Sequence, residues 1–134
     1  MYKPNDQCDV MKRKILVVDD TPIARKGTAM VVQTLGFKTD EAATGREALD
    51  NMGTRHYALI LMDYNMPGMD GMECTQKIRE QEKQTGIRIP IIGLSASNEA
   101  NIREKCLQAG MDDYLPKSYT KEELQHIVDK WLCS

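Results

Sequence analysis

Asp19, Asp20 and Asp63 are the residues of this chain best suited to chemistry, and each stands just past a short apolar run. Residues 15–18 lead into the acidic pair and residues 57–62 lead into Asp63. Ser95 follows the apolar run 89–94, and Lys117 follows 113–115 by way of Pro116. Three carboxylates brought together repel, so they raise one another's pKa or take up a cation. An all-oxygen set with room for water suits Mg²⁺, or Mn²⁺ in its place, and does not suit zinc or copper. A lysine and a hydroxyl would be idle around a metal alone; they make sense if an anion also arrives. A carboxylate nucleophile with a hard cation, a lysine and a hydroxyl donor makes up the parts list for phosphoryl transfer to Asp63.

Taken one at a time, these residues have plainer readings. An Asp pair before a helix is more often a cap, and Asn65-Met66-Pro67-Gly68 is ordinary turn chemistry. Ser95 alone reads as a turn residue, Lys117 alone as a solvated charge, and Tyr114 alone as half-buried sheet filler. The order decides against this. Independent caps and turns would not all follow apolar runs and face one crevice.

The elements that must position these residues alternate five times between short apolar runs and amphipathic patterns. Residues 15–18 read as a strand buried on both faces. Thr21-Pro22 then offers a helix N-cap with proline at the first helical position, and Gly36 a stop. In that helix Ala24, Gly27, Val31 and Leu35 share a face at 3.6 spacing. A weaker strand over 37–42 belongs nearer the edge. Thr44-Gly45-Arg46-Glu47 and Thr120-Lys121-Glu122-Glu123 are capping boxes, and Asp70 to Glu73 has similar chemistry. Strands are expected at 57–62, 89–94 and 113–115. Helices are expected after Asp70, over 98–109 with Gly110 as the stop, and after Thr120, where Leu124, Ile127, Val128 and Trp131 share a face. Alternating βα units predict an α/β fold: a five-stranded parallel sheet with helices on both faces. The flavodoxin-like order 2-1-3-4-5 puts ligands at the carboxyl ends of the strands.

The 134 residues are enough for one domain, and 41% hydrophobic with 28% charged is ordinary globular usage. A net charge of −2 gives no basic field for nucleic acid. No apolar run reaches the roughly 20 residues that span a bilayer, and the start of the chain lacks a signal-peptide core. A cytoplasmic protein is expected. Residues 1–12 read as a polar tail or linker and 13–134 as the domain. Cys8, Cys74, Cys106 and Cys133 are scattered, with no CxxC pair, and read as reduced thiols.

The segments ILVVDD (15–20), LMDYNMPGMDG (61–71), PIIGLSA (90–96) and GMDDYLPK (110–117) together resemble the receiver domain of two-component response regulators. The similarity runs from about residue 13 to 132. It implies that Asp63 is the phosphoacceptor and that Asp19, Asp20, Asp63 and the backbone carbonyl of Asn65 hold Mg²⁺. It implies that Ser95 and Lys117 engage the phosphoryl group, and that Ser95 and Tyr114 form the switch. Tyr64 and Ser97 match positions that tune the lifetime of the phosphorylated state. The implied partner is a histidine kinase or a His-containing phosphotransfer protein, with no direct nucleic-acid contact and no membrane insertion. A monomer and a weak dimer are both open. The implied role is that of a switch catalysing only its own phosphoryl transfer and dephosphorylation. Finer features, among them Leu35-Gly36-Phe37 and the 80–88 connection, are most similar to receivers of hybrid sensor histidine kinases.

One departure stands out. The family commonly has a cis proline after the lysine, where this chain has Ser118. A cis bond to a non-proline residue costs about 2.5–4 kcal/mol, so a trans bond is expected, or a strained one held by its surroundings. Three rival readings are weaker. A degenerate receiver used only for docking would lack key residues that are all present here. A phosphatase with an Asp nucleophile would carry Asp-x-Asp after the first strand, where this chain has an adjacent pair. A flavodoxin-type FMN carrier needs a Ser/Thr/Gly phosphate cradle that the first loop lacks.

Overall fold

Five strands, with apolar runs in β1, β3 and β4, lie parallel in the order β2-β1-β3-β4-β5. The computed structural model describes residues 14–66, 68–96 and 100–132. Its elements are β1 (Lys14–Val18), α1 (Pro22–Thr34), β2 (Lys38–Ala42), α2 (Gly45–Thr54), β3 (Tyr57–Asp63), α3 (Gly71–Thr85), β4 (Ile91–Ser95), α4 (Ile102–Ala109), β5 (Asp113–Pro116) and α5 (Lys121–Leu132). The flavodoxin-like α/β sheet expected from the sequence is present in full.

The central strands are covered on both sides, as their unbroken apolar runs require. Alternate residues feed separate cores. Leu16, Val18, Ile60, Met62 and Ile91 pack with Cys74, Ile78, Cys106 and Met111. Ile15, Val17, Leu59, Leu61, Ile92 and Leu94 pack with Ala29, Val32, Leu124 and Val128 on the face of α1 and α5. Each such Leu or Ile contributes about 1.5–3 kcal/mol on burial. The edge strand β2 is polar and held by charge. Asp40 accepts bonds from Lys14 Nζ at 3.2 Å and Tyr57 Oη at 2.7 Å, and Glu41 accepts from Arg25 Nε at 2.9 Å.

Helix starts follow the cap signals, with instructive exceptions. Thr120 and Glu123 form the full reciprocal box, at 3.1 and 2.8 Å. Thr44 Oγ1 accepts from the Glu47 amide, while the Glu47 carboxylate turns to the Ala43 amide. Thr21 is at the N-cap position of α1, yet its side chain makes no capping bond. Asp19 Oδ1 accepts the amide of Thr21 itself at 2.9 Å, which ties the helix start to the acidic loop. The buried face of α1 is Thr28, Ala29 and Val32. The expected stripe of Ala24, Gly27, Val31 and Leu35 forms its half-covered flank, with Gly27 exposed. β4 begins at Ile91, after Pro90, because a proline has no amide to give the ladder. β2 begins at Lys38, one residue after the expected start. α4 begins at Ile102, after a left-handed Asn101 that breaks the expected longer helix; residues 98 and 99 lie outside the described set. Cys74 and Cys106 are buried free thiols, and burial pushes them up to about 12 and about 11. No described helix is long and apolar enough to cross a membrane.

Candidate functional site

The strand register assembles the site. Val18 pairs with Met62, so Asp19 and Asp63 leave adjacent strands side by side. Asp63 pairs with Leu94, and Ser95 pairs with Pro116, so Ser95 and Lys117 lie one step further along the same edge. The Lys117 amide donates to the Ser95 carbonyl at 2.8 Å. Four strands thereby deliver their terminal polar residues to one crevice at the switch point, as the alternation of elements requires.

Asp19 and Asp63 are almost wholly buried, at 1% exposure each, and Asp20 beside them reaches solvent. The three residues offer carboxylate oxygens that all lie within 4.8 Å of one another. Lys117 Nζ bridges two of them, 3.2 Å from Asp19 Oδ2 and 3.2 Å from Asp63 Oδ1. Asp63 Oδ1 also accepts the Asn65 amide at 3.3 Å, which folds the exposed Asn65 over the acceptor. Asp63 Oδ2 is buried with no hydrogen-bond partner. A buried, unpartnered carboxylate oxygen facing two further carboxylates is an unmet demand for positive charge. The donor set is all oxygen, with one acid open to water, and fits a hard divalent cation such as Mg²⁺.

The electrostatics carry the same message. Burial first, and then the neighbouring Asp19 charge, push the Asp63 carboxyl up to about 7, against the opposing pull of Lys117. Burial alone would lower Lys117, but Asp63 and Asp19 outweigh it and raise its pKa, so it stays an ammonium.

Arg25, outside every motif, and Gly71, the last residue of the 61–71 segment, also build the site. Arg25 Nη1 donates to the Asp19 carbonyl at 3.0 Å while its Nε holds Glu41, which fixes the loop bearing the acidic pair. Its signal was a lone arginine in the first turn of a helix, indistinguishable from a solvated charge. Gly71 lies against β3's exit, where a Cβ would overlap the Asp63 carbonyl oxygen and come within 3.0 Å of Tyr64 Cα. Its amide bonds the Tyr64 carbonyl at 3.0 Å.

All the expected site residues lie along this edge except Tyr114. That residue is in β5 opposite Gly93, half-buried against the core, its pKa raised by burial and by Cys106. It lines a separate cavity of about 400 Å³ with Arg103, His126 and Lys130. The described backbone has no cis peptide bond, so Lys117–Ser118 is trans, as expected. Ser97 and Pro67 lie outside the described residues.

The fold and site together define an α/β protein with a doubly covered parallel sheet and, at its switch point, a lysine-bridged acidic cluster that could hold a metal ion. The chain belongs to the response regulator receiver domain family, whose model matches residues 15–129. It is 35% identical over 130 residues to the sensor histidine kinase GacS of Pseudomonas protegens, covering 96% of this chain and 14% of that protein. It is 39% identical over 124 residues to the sensor histidine kinase RcsC of Escherichia coli K12, covering 92% of this chain and 12% of that protein. The chain therefore spans about an eighth of the length of these curated relatives.

Among solved structures, the receiver domain of the sensor histidine kinase PA1611 from Pseudomonas aeruginosa has a TM-score of 0.81 and 38% identity, covering 91% of this chain and 98% of that one. It holds a magnesium ion in its active-site cleft. The receiver domain of the Arabidopsis thaliana histidine kinase CKI1, solved with Mg²⁺ and BeF₃⁻, has a TM-score of 0.79 and 31% identity over 98% of this chain and 97% of that one. The receiver domain of Saccharomyces cerevisiae Ssk1, solved with the histidine phosphotransfer protein Ypd1, matches at a TM-score of 0.82 and 29% identity, over 90% of this chain and 89% of that one. The protein is a receiver domain of two-component phosphorelay signalling.

Proposed function

We propose that Asp63 accepts a phosphoryl group from a phosphohistidine donor, a histidine kinase or a His-containing phosphotransfer protein. The observation that carries this is the buried Asp63 carboxylate, bridged to Lys117 on one oxygen and unpartnered on the other. In the transfer, the donor's P–N bond breaks with its electrons returning to the imidazole, and a bond forms between phosphorus and an Asp63 oxygen. Asp19, Asp20, Asp63 and the Asn65 carbonyl are the residues that would hold Mg²⁺, which when bound supplies neutralisation of phosphoryl charge. Lys117 supplies a second, fixed positive charge at the same place, and a preorganised charge of this kind costs no reorganisation during reaction. The Ser95 hydroxyl bonds the transferred group, and its shift toward Asp63 lets the Tyr114 ring turn inward. The surface of α4, β5 and α5 then offers partners a second state. Residues 1–12, expected as a tail or linker, lie outside the described residues, and the domain works in the cytoplasm. Hydrolysis of the phosphoaspartate by water resets the switch.

Labelling with a small phosphodonor tests this. Acid-labile phosphate should appear on the unaltered chain only with Mg²⁺, and not on Asp63→Asn. Equal labelling of the two proteins would overturn the assignment.

A further inference from the structure

Lys117 is useful only if the loop that carries it is held still, and this loop lacks the proline that commonly follows the lysine in similar sequences. Ser118 stands there, on a trans bond. Two backbone bonds give partial restraint. The Lys117 amide donates to the Ser95 carbonyl at 2.8 Å, and the Tyr119 amide closes a turn onto the Pro116 carbonyl at 3.0 Å. Neither bond reaches the acidic pair.

A third contact ties the loop to α1, which is itself joined to that pair. The hydroxyls of Thr28 and Tyr119 lie 2.6 Å apart, joining residues 91 positions apart in sequence. Thr28 is on the buried face of α1, at 5% exposure, among Ala29 and Val32. A hydroxyl in that place costs stability unless it is bonded, and an apolar residue of similar size would pack as well. The start of α1 is itself fastened to the acidic loop, through the Thr21 amide on Asp19 Oδ1 and Arg25 on the Asp19 carbonyl. Thr28, Tyr119, Asp19 and Lys117 line one cavity of about 320 Å³. The Thr28–Tyr119 bond thus closes a ring: acidic loop, α1, lysine loop, and back to Asp19 through the ammonium.

We infer that Thr28 and Tyr119 are positioning residues for Lys117, their paired hydroxyls holding the lysine loop in register with Asp19 and Asp63 where no proline does so. The inference rests on Asp63 being the phosphoacceptor. It is separate from the general stability of the fold, because it predicts an effect that passes through the lysine.

The test uses the full chain, acetyl phosphate and saturating Mg²⁺, and reads the initial rate of labelling together with Tm. Tyr119→Phe and Thr28→Val should each slow labelling about three- to tenfold, the scale of one lost hydrogen bond. The double variant should be no slower than the worse single one, and Thr28→Ser should stay within about twofold of the unaltered rate. In a Lys117→Ala background, the same substitutions should change the residual rate by less than about twofold. Single variants that label at the unaltered rate would overturn the inference. So would a loss that persists undiminished without Lys117, which marks a merely structural bond. If Thr28→Val fails to fold, Tyr119→Phe on its half-exposed loop carries the test alone. An unaltered chain that takes no label removes the phosphoacceptor reading itself, and the inference with it.

Discussion

Lys117 Nζ lies 3.2 Å from Asp63 Oδ1, an ion pair formed between the end of one strand and the loop after another. The partner acid is 1% exposed and the lysine side chain 24%, so water screens the pair only from one side. Lys117→Met should lower the rate of phosphoryl labelling by about a hundredfold, the usual effect of deleting one preorganised charge. It should also enlarge the rise in Tm on adding Mg²⁺, because the carboxylates lose a neighbouring cation. A variant labelled at the unaltered rate would contradict the role given to the ammonium.

The raised Asp63 carboxyl fixes a pH dependence. Its folded pKa is about 7 against an ordinary 3.8, so between those values the folded state binds more protons than the unfolded one. This group therefore lowers stability as pH rises through that window, the reverse of a salt-bridged carboxylate whose pKa is depressed. Mg²⁺ binding requires the ionised form and should release a proton. The Mg²⁺-induced rise in Tm should be larger at pH 8 than at pH 5.5. Thermal shifts of equal size at both pH values would refute this.

Gly71→Ala probes the backbone behind the acceptor. The added methyl overlaps the Asp63 carbonyl oxygen, which belongs to a strand end and cannot rotate away. A cost of about 1–3 kcal/mol in stability is expected, along with slower labelling as the Asp63 loop shifts. Urea unfolding gives the first quantity, and a midpoint unchanged from the parent protein would show that the loop yields freely.

Asp113 joins α4 to α5 beneath Tyr114. Its carboxylate accepts from Arg103 at 2.9 Å, Lys130 at 3.0 Å and the Trp131 indole at 3.0 Å. Burial alone would raise its pKa, but the bonds from Trp131, the Tyr114 amide and Lys130 outweigh it and hold the group below the usual carboxylate value. A depressed carboxyl contributes stability above its unfolded pKa, lost as pH falls through the lower folded value. Asp113→Asn should cost about 1–3 kcal/mol at neutral pH and flatten the acid limb of the stability curve below about pH 4. Acid titrations of the two proteins that superimpose would show the network to be inert.

The sheet was legible because short runs, apolar in β1, β3 and β4, alternated with cap and stop signals, and register then followed from strand direction. The site was legible because Asp19, Asp20, Asp63, Ser95 and Lys117 each end or follow such a run. The misread details all turn on tertiary contacts. Thr21 stands at the N-cap position without a side-chain capping bond, and its own amide is taken by Asp19, a contact set by the acidic loop. The buried face of α1 is turned toward Thr28 because that side meets Tyr119 and α5's core. Arg25 gave no local sign of function, since it acts on a carbonyl; Gly71 lay within the 61–71 segment, but its need to lack a methyl shows only in the packing.

Peptide-level mass spectrometry after exposure to acetyl phosphate, with and without Mg²⁺, tests the central claim most directly. The account predicts one added phosphoryl group, on Asp63, dependent on Mg²⁺ and abolished by Asp63→Asn. A phosphoryl group on another residue, or none on Asp63 at any Mg²⁺ concentration, would contradict it.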